Sequence, residues 1–230
     1  GDVDRIVRFE VSQGRRSFAA LLPETAYGTV VEGAFQQTVA SAGARAVTIE
    51  HYASDRSKMG GLVKRIAPAL TQADVLFMPG APGDTIQLVQ MLSANGVDLK
   101  RLRLAGTGLW DDQSLFSEPL MTGAQFAGPD AAGWRAFSQR YRARYGADPV
   151  RTATLVYDAV SLVTALVRTN GPDAVTMAAI ASPSGFSGLD GTFRFRADGT
   201  IERGLAVMEV KAGTVEVVSP APRAFSGAQL

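Results

Sequence analysis

Between Ser17 and Gly106 the chain repeats a single theme: a short apolar run of β character, a Gly- or Pro-containing junction, then a segment with helical spacing. Strands are predicted near Ser17–Leu22, Ala46–Tyr52, Val75–Met78 and Arg103–Gly106. Helices are predicted over Tyr27–Ser41, which Gly43 stops, over Lys58–Leu70, and over Asp84–Ala94, which ends at Asn95-Gly96. A strand that must return over a helix before the next strand pairs parallel, with a right-handed crossover. The expected fold class is therefore α/β, a parallel sheet flanked by helices. Ahead of it, Val3, Ile6, Val7, Glu10 and Val11 carry helical spacing up to Gly14.

The rhythm stops after Gly128. Residues 131–145 read as a helix with Trp134, Phe137, Tyr141 and Tyr145 on one stripe, broken by Asp148-Pro149. A second helix, Thr152–Arg168, is apolar over nearly half its circumference through Leu155, Val156, Ala159, Val160, Leu162, Val163, Leu166 and Val167. A stripe that wide predicts burial. A shorter helix follows near Asp173–Ala181. "GTFRFRADGTIERG" then reads as a hairpin with Asp198-Gly199 at its tip, and "LAVMEV" and "TVEVV" as further strands.

Composition excludes several function classes. The formal net charge is +1, so no overall field draws nucleic acid or an anionic membrane. The arginines of "WRAFSQRYRARYG" read as a solvated face whose stems cover apolar surface, and no nucleic-acid partner is expected. No apolar run reaches the roughly 18–20 residues of a membrane span. Cysteine is absent, which excludes disulfides, thiolate metal sites and a cysteine nucleophile. The chain opens on Gly1 with no visible signal peptide, the pattern of a mature exported protein and equally of a trimmed cytosolic one.

Three strands end alike, in "LLPETAYG", "FMPGAPGD" and "AGTGLWDD". In an open parallel sheet such ends share one edge, and ligands bind in the crevice outside it. A helix N-terminus there presents free N–H groups and a partial positive charge. That makes Thr25, Tyr27 and Gly28 candidates for holding a small polar ligand. Gly and Pro are also turn chemistry in their own right, and Tyr27 could simply pack over Phe35; spacing alone leaves both readings open.

Catalytic motifs are missing. "GTG" at 106–108 lacks the third glycine of a dinucleotide fingerprint, and "GAPGDT" lacks the lysine of a phosphate loop. No serine sits in a nucleophile elbow. The single histidine, His51, ends a strand with no implied partner and reads as structural. Asp111-Asp112 has no further spaced ligands to make a metal site. Neither an enzyme, a cofactor nor a metal is expected.

"ALLPETAYGTVVEGAFQQTVASAGARAVTIEHYASDRSKMGGLVKRI" resembles the second lobe of type I periplasmic solute-binding proteins of the leucine/isoleucine/valine-binding branch. "WRAFSQRYRARYGADPVRTATLVYDAV" and "GFSGLDGTFRFRADGTIERGLAVMEVKAG" resemble later segments of the same family, in the same order. The resemblance implies Rossmann-like lobes closing on a solute by hinge motion, export to the periplasm, and delivery to a membrane permease. It maps residues 1–127 with 205–223 to the second lobe, 128–204 to part of the first, and 224–230 to a loose tail. It also implies that about half of the first lobe precedes this chain, so the apolar helix 152–168 would need another cover, such as a second copy in a homodimer.

On that mapping Tyr27, the loop Gly80-Ala81-Pro82 and the loop Gly108-Leu109-Trp110 line the ligand cleft, with Asp111 close behind. Amino-acid binders usually place a carboxylate where this chain has Gly108. The resemblance thus implies either an amino acid or an apolar or aromatic acid touching Trp110. One branch of the fold, the penicillin-binding protein activators, contacts a cell-wall synthase and transports nothing; the sequence resembles some of these as well.

Overall fold

The computed structural model describes residues 1–225. In chain order the elements are α1 (Asp2–Ser12), β1 (Ser17–Pro23), α2 (Ala26–Ser41), β2 (Arg45–Tyr52), α3 (Arg56–Leu70), β3 (Val75–Phe77), α4 (Pro82–Ala94), β4 (Arg103–Gly106), α5 (Gln113–Phe116), β5 (Gln125–Gly128), α6 (Ala131–Tyr145), α7 (Ala153–Asn170), α8 (Met177–Ile180), β6 (Phe186–Gly188), β7 (Gly191–Phe195), β8 (Ile201–Arg203), β9 (Ala206–Lys211) and β10 (Thr214–Ser219). They form two compact units. One comprises residues 1–128 and 207–219; the other comprises 129–206 and the segment from Pro220.

The first unit carries a sheet ordered β10-β9-β5-β4-β3-β1-β2. The pairs β1/β2, β1/β3, β3/β4 and β4/β5 are parallel, and β9/β10 is antiparallel. The alternation in the sequence thus produces the parallel sheet expected of it. Strand β5 was not foreseen. Four residues, "QFAG", carry no alternation, and the strand is fixed by neighbours: Gly123 N donates to Val210 O and Val210 N to Ala124 O, both at 2.8 Å.

Strand β1, "SFAALLP", is buried along its whole length because both faces are covered. On one face Phe35 of α2 stacks on Phe77 at 5.1 Å and meets Phe18 edge-on at 6.2 Å. On the other, Met59, Leu62, Val63 and Ile66 of α3 join Leu88 and Leu92 of α4 against Ala19, Leu21 and Leu76. Each fully buried large aliphatic side chain contributes roughly 1.5–3 kcal/mol. Helix starts are set by side chains: Thr25 accepts from Gly28 N at 3.1 Å, and Asp55 from Ser57 N at 3.0 Å.

In the second unit, rings ladder along α6 from Trp134 through Phe137 and Tyr141 to Tyr145, and Phe137 meets Tyr157 of α7 edge-on at 5.5 Å. Strands β6-β7-β8 form an antiparallel sheet. It is tied to α7 by Leu189 N donating to Asp158 Oδ1 at 2.7 Å and Thr154 Oγ1 to Asp190 Oδ2 at 2.6 Å. The predicted burial of the α7 stripe holds only for Leu162. Leu155, Val156, Val160 and Val163 remain exposed, Val156 by 67%, since α6 covers one flank only.

Beyond Ser219 the chain joins this second unit, where Thr192 Oγ1 donates to Arg223 O at 3.1 Å. The loose tail expected from residue 224 lies, from 226 onward, outside the described residues. Among the described residues no helix is long and apolar enough to cross a membrane.

Candidate functional site

The three junctions singled out in the sequence follow β1, β3 and β4. These strands are parallel and adjacent in the sheet, in the order β4-β3-β1, so their C-terminal ends share one rim of the first unit. The first junction is shaped by two residues. Thr25 caps α2, and at Gly28 a β-carbon would lie 1.9 Å from Pro23 O, so only glycine lets the helix start this close to the strand end.

Between them in sequence, Tyr27 crosses the rim. Its hydroxyl pairs with Thr107 Oγ1 at 3.0 Å, linking the first junction to the third. The Phe35 ring, which spacing alone left open as its packing partner, stacks on Phe77. Tyr27 remains 39% exposed. Burial pushes its phenol above the ordinary tyrosine range, the bond to Thr107 counters this, and the charge of Asp2 adds to the rise. The hydroxyl is therefore a neutral donor and acceptor at physiological pH.

The middle junction rests on a residue that sequence reading did not single out. Tyr52, at the end of β2 and in register with Pro23, is buried beneath Gly80. Its hydroxyl has no hydrogen-bond partner among the described residues. Burial, then the charge of Asp84, then Tyr27, hold its phenol far above the ordinary range. Thr85 Oγ1 donates to Gly80 O at 3.3 Å, and α4 opens at Pro82 with no side-chain cap at Ala81.

At the third junction Gly108 N donates to Asp2 Oδ2 at 3.1 Å. Leu109 is exposed, and Asp111 is half-buried. Trp110 belongs elsewhere: it is fully buried, with its indole against Gly106 and 6.5 Å from the Phe126 ring. Of the expected ligand-facing set, it is the one residue whose side chain is turned wholly into the core. Asp112 accepts from Ser114 N at 2.8 Å and caps α5.

Tyr52, Thr107 and Asp2 are thus added to the rim. Only Tyr52 left a trace in the sequence, as an aromatic closing a strand; the other two need the sheet order to be placed. The assembled groups are hydroxyls, helix-start amides and the carboxylates of Asp2 and Asp111. His51 Nε2 lies 2.8 Å from Glu32 Oε2 on the surface. Among the described residues no group of three or more His, Cys, Asp or Glu could hold a metal. Such an arrangement can orient a small polar molecule by hydrogen bonds.

Comparison with known proteins agrees in kind. Residues 1–214 match the periplasmic binding protein family. A putative branched-chain amino acid ABC transporter protein from Rhodospirillum rubrum superposes with a TM-score of 0.80 at 21% identity, over 92% of this chain and 63% of that one. A solute-binding protein of an R. palustris ABC transporter, in complex with benzoate, gives 0.70 at 19% identity, over 99% and 67%. An ABC transporter substrate-binding protein from Desulfitobacterium hafniense in complex with Leu gives 0.67 at 18% identity, over 94% and 65%. No curated protein matches the chain. This chain therefore spans about two thirds of the length of these solved structures. With nearly its whole length matched, the chain belongs to the periplasmic binding protein family, a family of solute-binding proteins rather than enzymes.

Proposed function

We propose that this chain carries the solute-holding rim of an extracytoplasmic binding protein that serves an ABC transporter, with an amino acid or a related organic acid as solute. The observation that carries the reading is the Tyr27–Thr107 bond, which joins two strand-end junctions across a third and leaves Tyr27 partly exposed. Thr25, Gly28, Gly80, Ala81, Pro82, Gly108, Leu109 and Asp111 frame that rim; Trp110 supports it from below. The Leu and benzoate bound by two similar structures both carry a carboxylate, the group a helix N-terminus favours. Family membership implies an extracytoplasmic location. Export by a signal peptide, delivery to a membrane permease, and a homodimer of the 230-residue chain are the finer parts of the same reading.

Thermal-shift screening of the full-length protein against amino acids and aromatic acids tests it. A solute at 100 times its dissociation constant adds about 2.7 kcal/mol. If no solute of either class stabilises the protein, solute capture fails, and binding to a cell-wall synthase becomes the reading to pursue.

A further inference from the structure

We propose that the first unit holds an anion site at the pole opposite the rim, where its strands begin, and that this site takes a small dianion of the phosphate or sulfate class. The inference is independent of the solute-binding reading.

The segments that lead into β1, β4 and β5 enclose a cavity of about 310 Å³ at that pole. One water's share of liquid volume is about 30 Å³, so a small ion has room there. Four of the lining side chains are cations, Arg15, Lys100, Arg101 and Arg103, and none of the lining residues is acidic. Leu102 and Leu104, both buried, give the cavity part of its wall. A cleft with charge of one sign and walls of low dielectric focuses its field on a counter-ion.

Two of the guanidiniums are held by neutral acceptors. Arg101 Nη1 donates to Ala73 O at 3.0 Å and Nη2 to Leu70 O, the last residue of α3. Arg103 Nη1 donates to Gly123 O and lies 3.6 Å from Glu209 Oε2. Carbonyls fix these forks without cancelling their charge. Glu209 is held more closely by Gln125 Nε2 at 2.6 Å and Lys211 Nζ at 2.5 Å. The other carboxylates near this pole are engaged as well. Glu10 Oε2 accepts from Arg15 Nη1 at 2.8 Å, Asp74 Oδ2 from the Ser17 amide and hydroxyl, and Asp98 Oδ1 from the Lys100 and Arg101 amides. A guanidinium carries five N–H donors, so each of the three keeps donors beyond these bonds, and Lys100 is exposed. Forks of this kind match two oxygens of one phosphate or sulfate, a fit that chloride cannot offer.

The test is calorimetric titration of the full-length protein with sodium phosphate and sodium sulfate at neutral pH and fixed ionic strength, with sodium chloride as the balance. Both dianions should bind saturably to a single site. Lys100→Glu should weaken them about tenfold or more, and Lys100→Gln should weaken them less. Lys64→Glu, at an exposed position outside the cavity lining, changes the net charge equally and should leave the affinity as it was. Should Lys100→Glu fail to fold, the comparison of Lys100→Gln with Lys64→Gln decides. No saturable binding at fixed ionic strength overturns the site, and so does an equal loss at positions 64 and 100, which would reduce the effect to diffuse charge. Solute binding at the rim should be unchanged in Lys100→Glu, so the two readings stand or fall separately.

Discussion

The phenolic oxygen of Tyr52 occupies the space a side chain at position 80 would need: a β-carbon on Gly80 would lie 1.8 Å from that oxygen and 3.1 Å from the ring carbon bearing it. Gly80→Ala must therefore displace either the tyrosine or the loop into α4, at about 1–3 kcal/mol. Tyr52→Phe removes the oxygen, so the next contact is the 3.1 Å one, and the double variant should recover most of the loss. Tyr52→Phe alone should be neutral or stabilising by up to about 1 kcal/mol, because the hydroxyl it removes is buried without a partner. Urea denaturation of the four proteins completes the cycle; strictly additive losses would contradict the overlap.

Tyr27→Phe separates packing from recognition. The ring stays and only the bond to Thr107 is lost, so ligand-free stability should fall by about 1 kcal/mol or less. Solute affinity should fall about tenfold. The tyrosine pKa is raised, so the hydroxyl keeps its proton even as pH climbs through the ordinary value. Affinity should thus be insensitive to Tyr27 ionisation from about pH 6 to about pH 9. A stability loss as large as the binding loss would assign Tyr27 a purely structural role.

Asp74 gives the first unit an acid limit. Burial alone would raise its carboxyl, but the Ser17 hydroxyl and the Arg16 and Ser17 amides, all donating to Oδ2 at 2.7–2.9 Å, outweigh burial and hold it below the ordinary range. A depressed folded-state pKa contributes stability above the unfolded value of about 3.9, and that contribution is lost as pH falls through the folded value. Asp74→Ala should cost about 1–3 kcal/mol at pH 7 by leaving the start of β1 without its acceptor. The gap to the unaltered protein should close below about pH 4. A gap constant down to about pH 3 would show that the lost contacts, not the charge, carry the effect.

These residues show what sequence could and could not reveal. The α/β alternation was legible because each strand from β1 to β4 is an apolar run bounded by turn residues, and burial on both faces demands such runs. The three junctions were legible for the same reason. Trp110 was misplaced because an aromatic in a loop carries no periodicity to tell inward from outward; the open face of Gly106 turns it in. Tyr52, Thr107 and Asp2 join the rim only through strand order and register, which residue spacing does not encode. The α7 stripe advertised a burial that, among the described residues, only Leu162 attains, because a wide apolar stripe does not say what will cover it.

Asp158 is the fixing point of the second unit. Only 4% of its side chain is exposed; Oδ1 accepts from Leu189 N at 2.7 Å, and Oδ2 lies 3.5 Å from Arg203 Nη1. A β-carbon on Gly188 would sit 2.3 Å from Oδ2, so β6 is held directly against the carboxylate. Asp158→Ala leaves a largely buried arginine without this partner and should cost about 3–5 kcal/mol. Arg203→Ala added to it removes the stranded charge, so the double variant should be less destabilised than the sum of the two singles. Because Asp158 lies in the second unit, hydrogen exchange should show amides of β6 and β7 losing protection while β1 and β3 keep theirs. Equal loss of protection in both units would mean that the first unit depends on this tether, contrary to the independence its own continuous core implies.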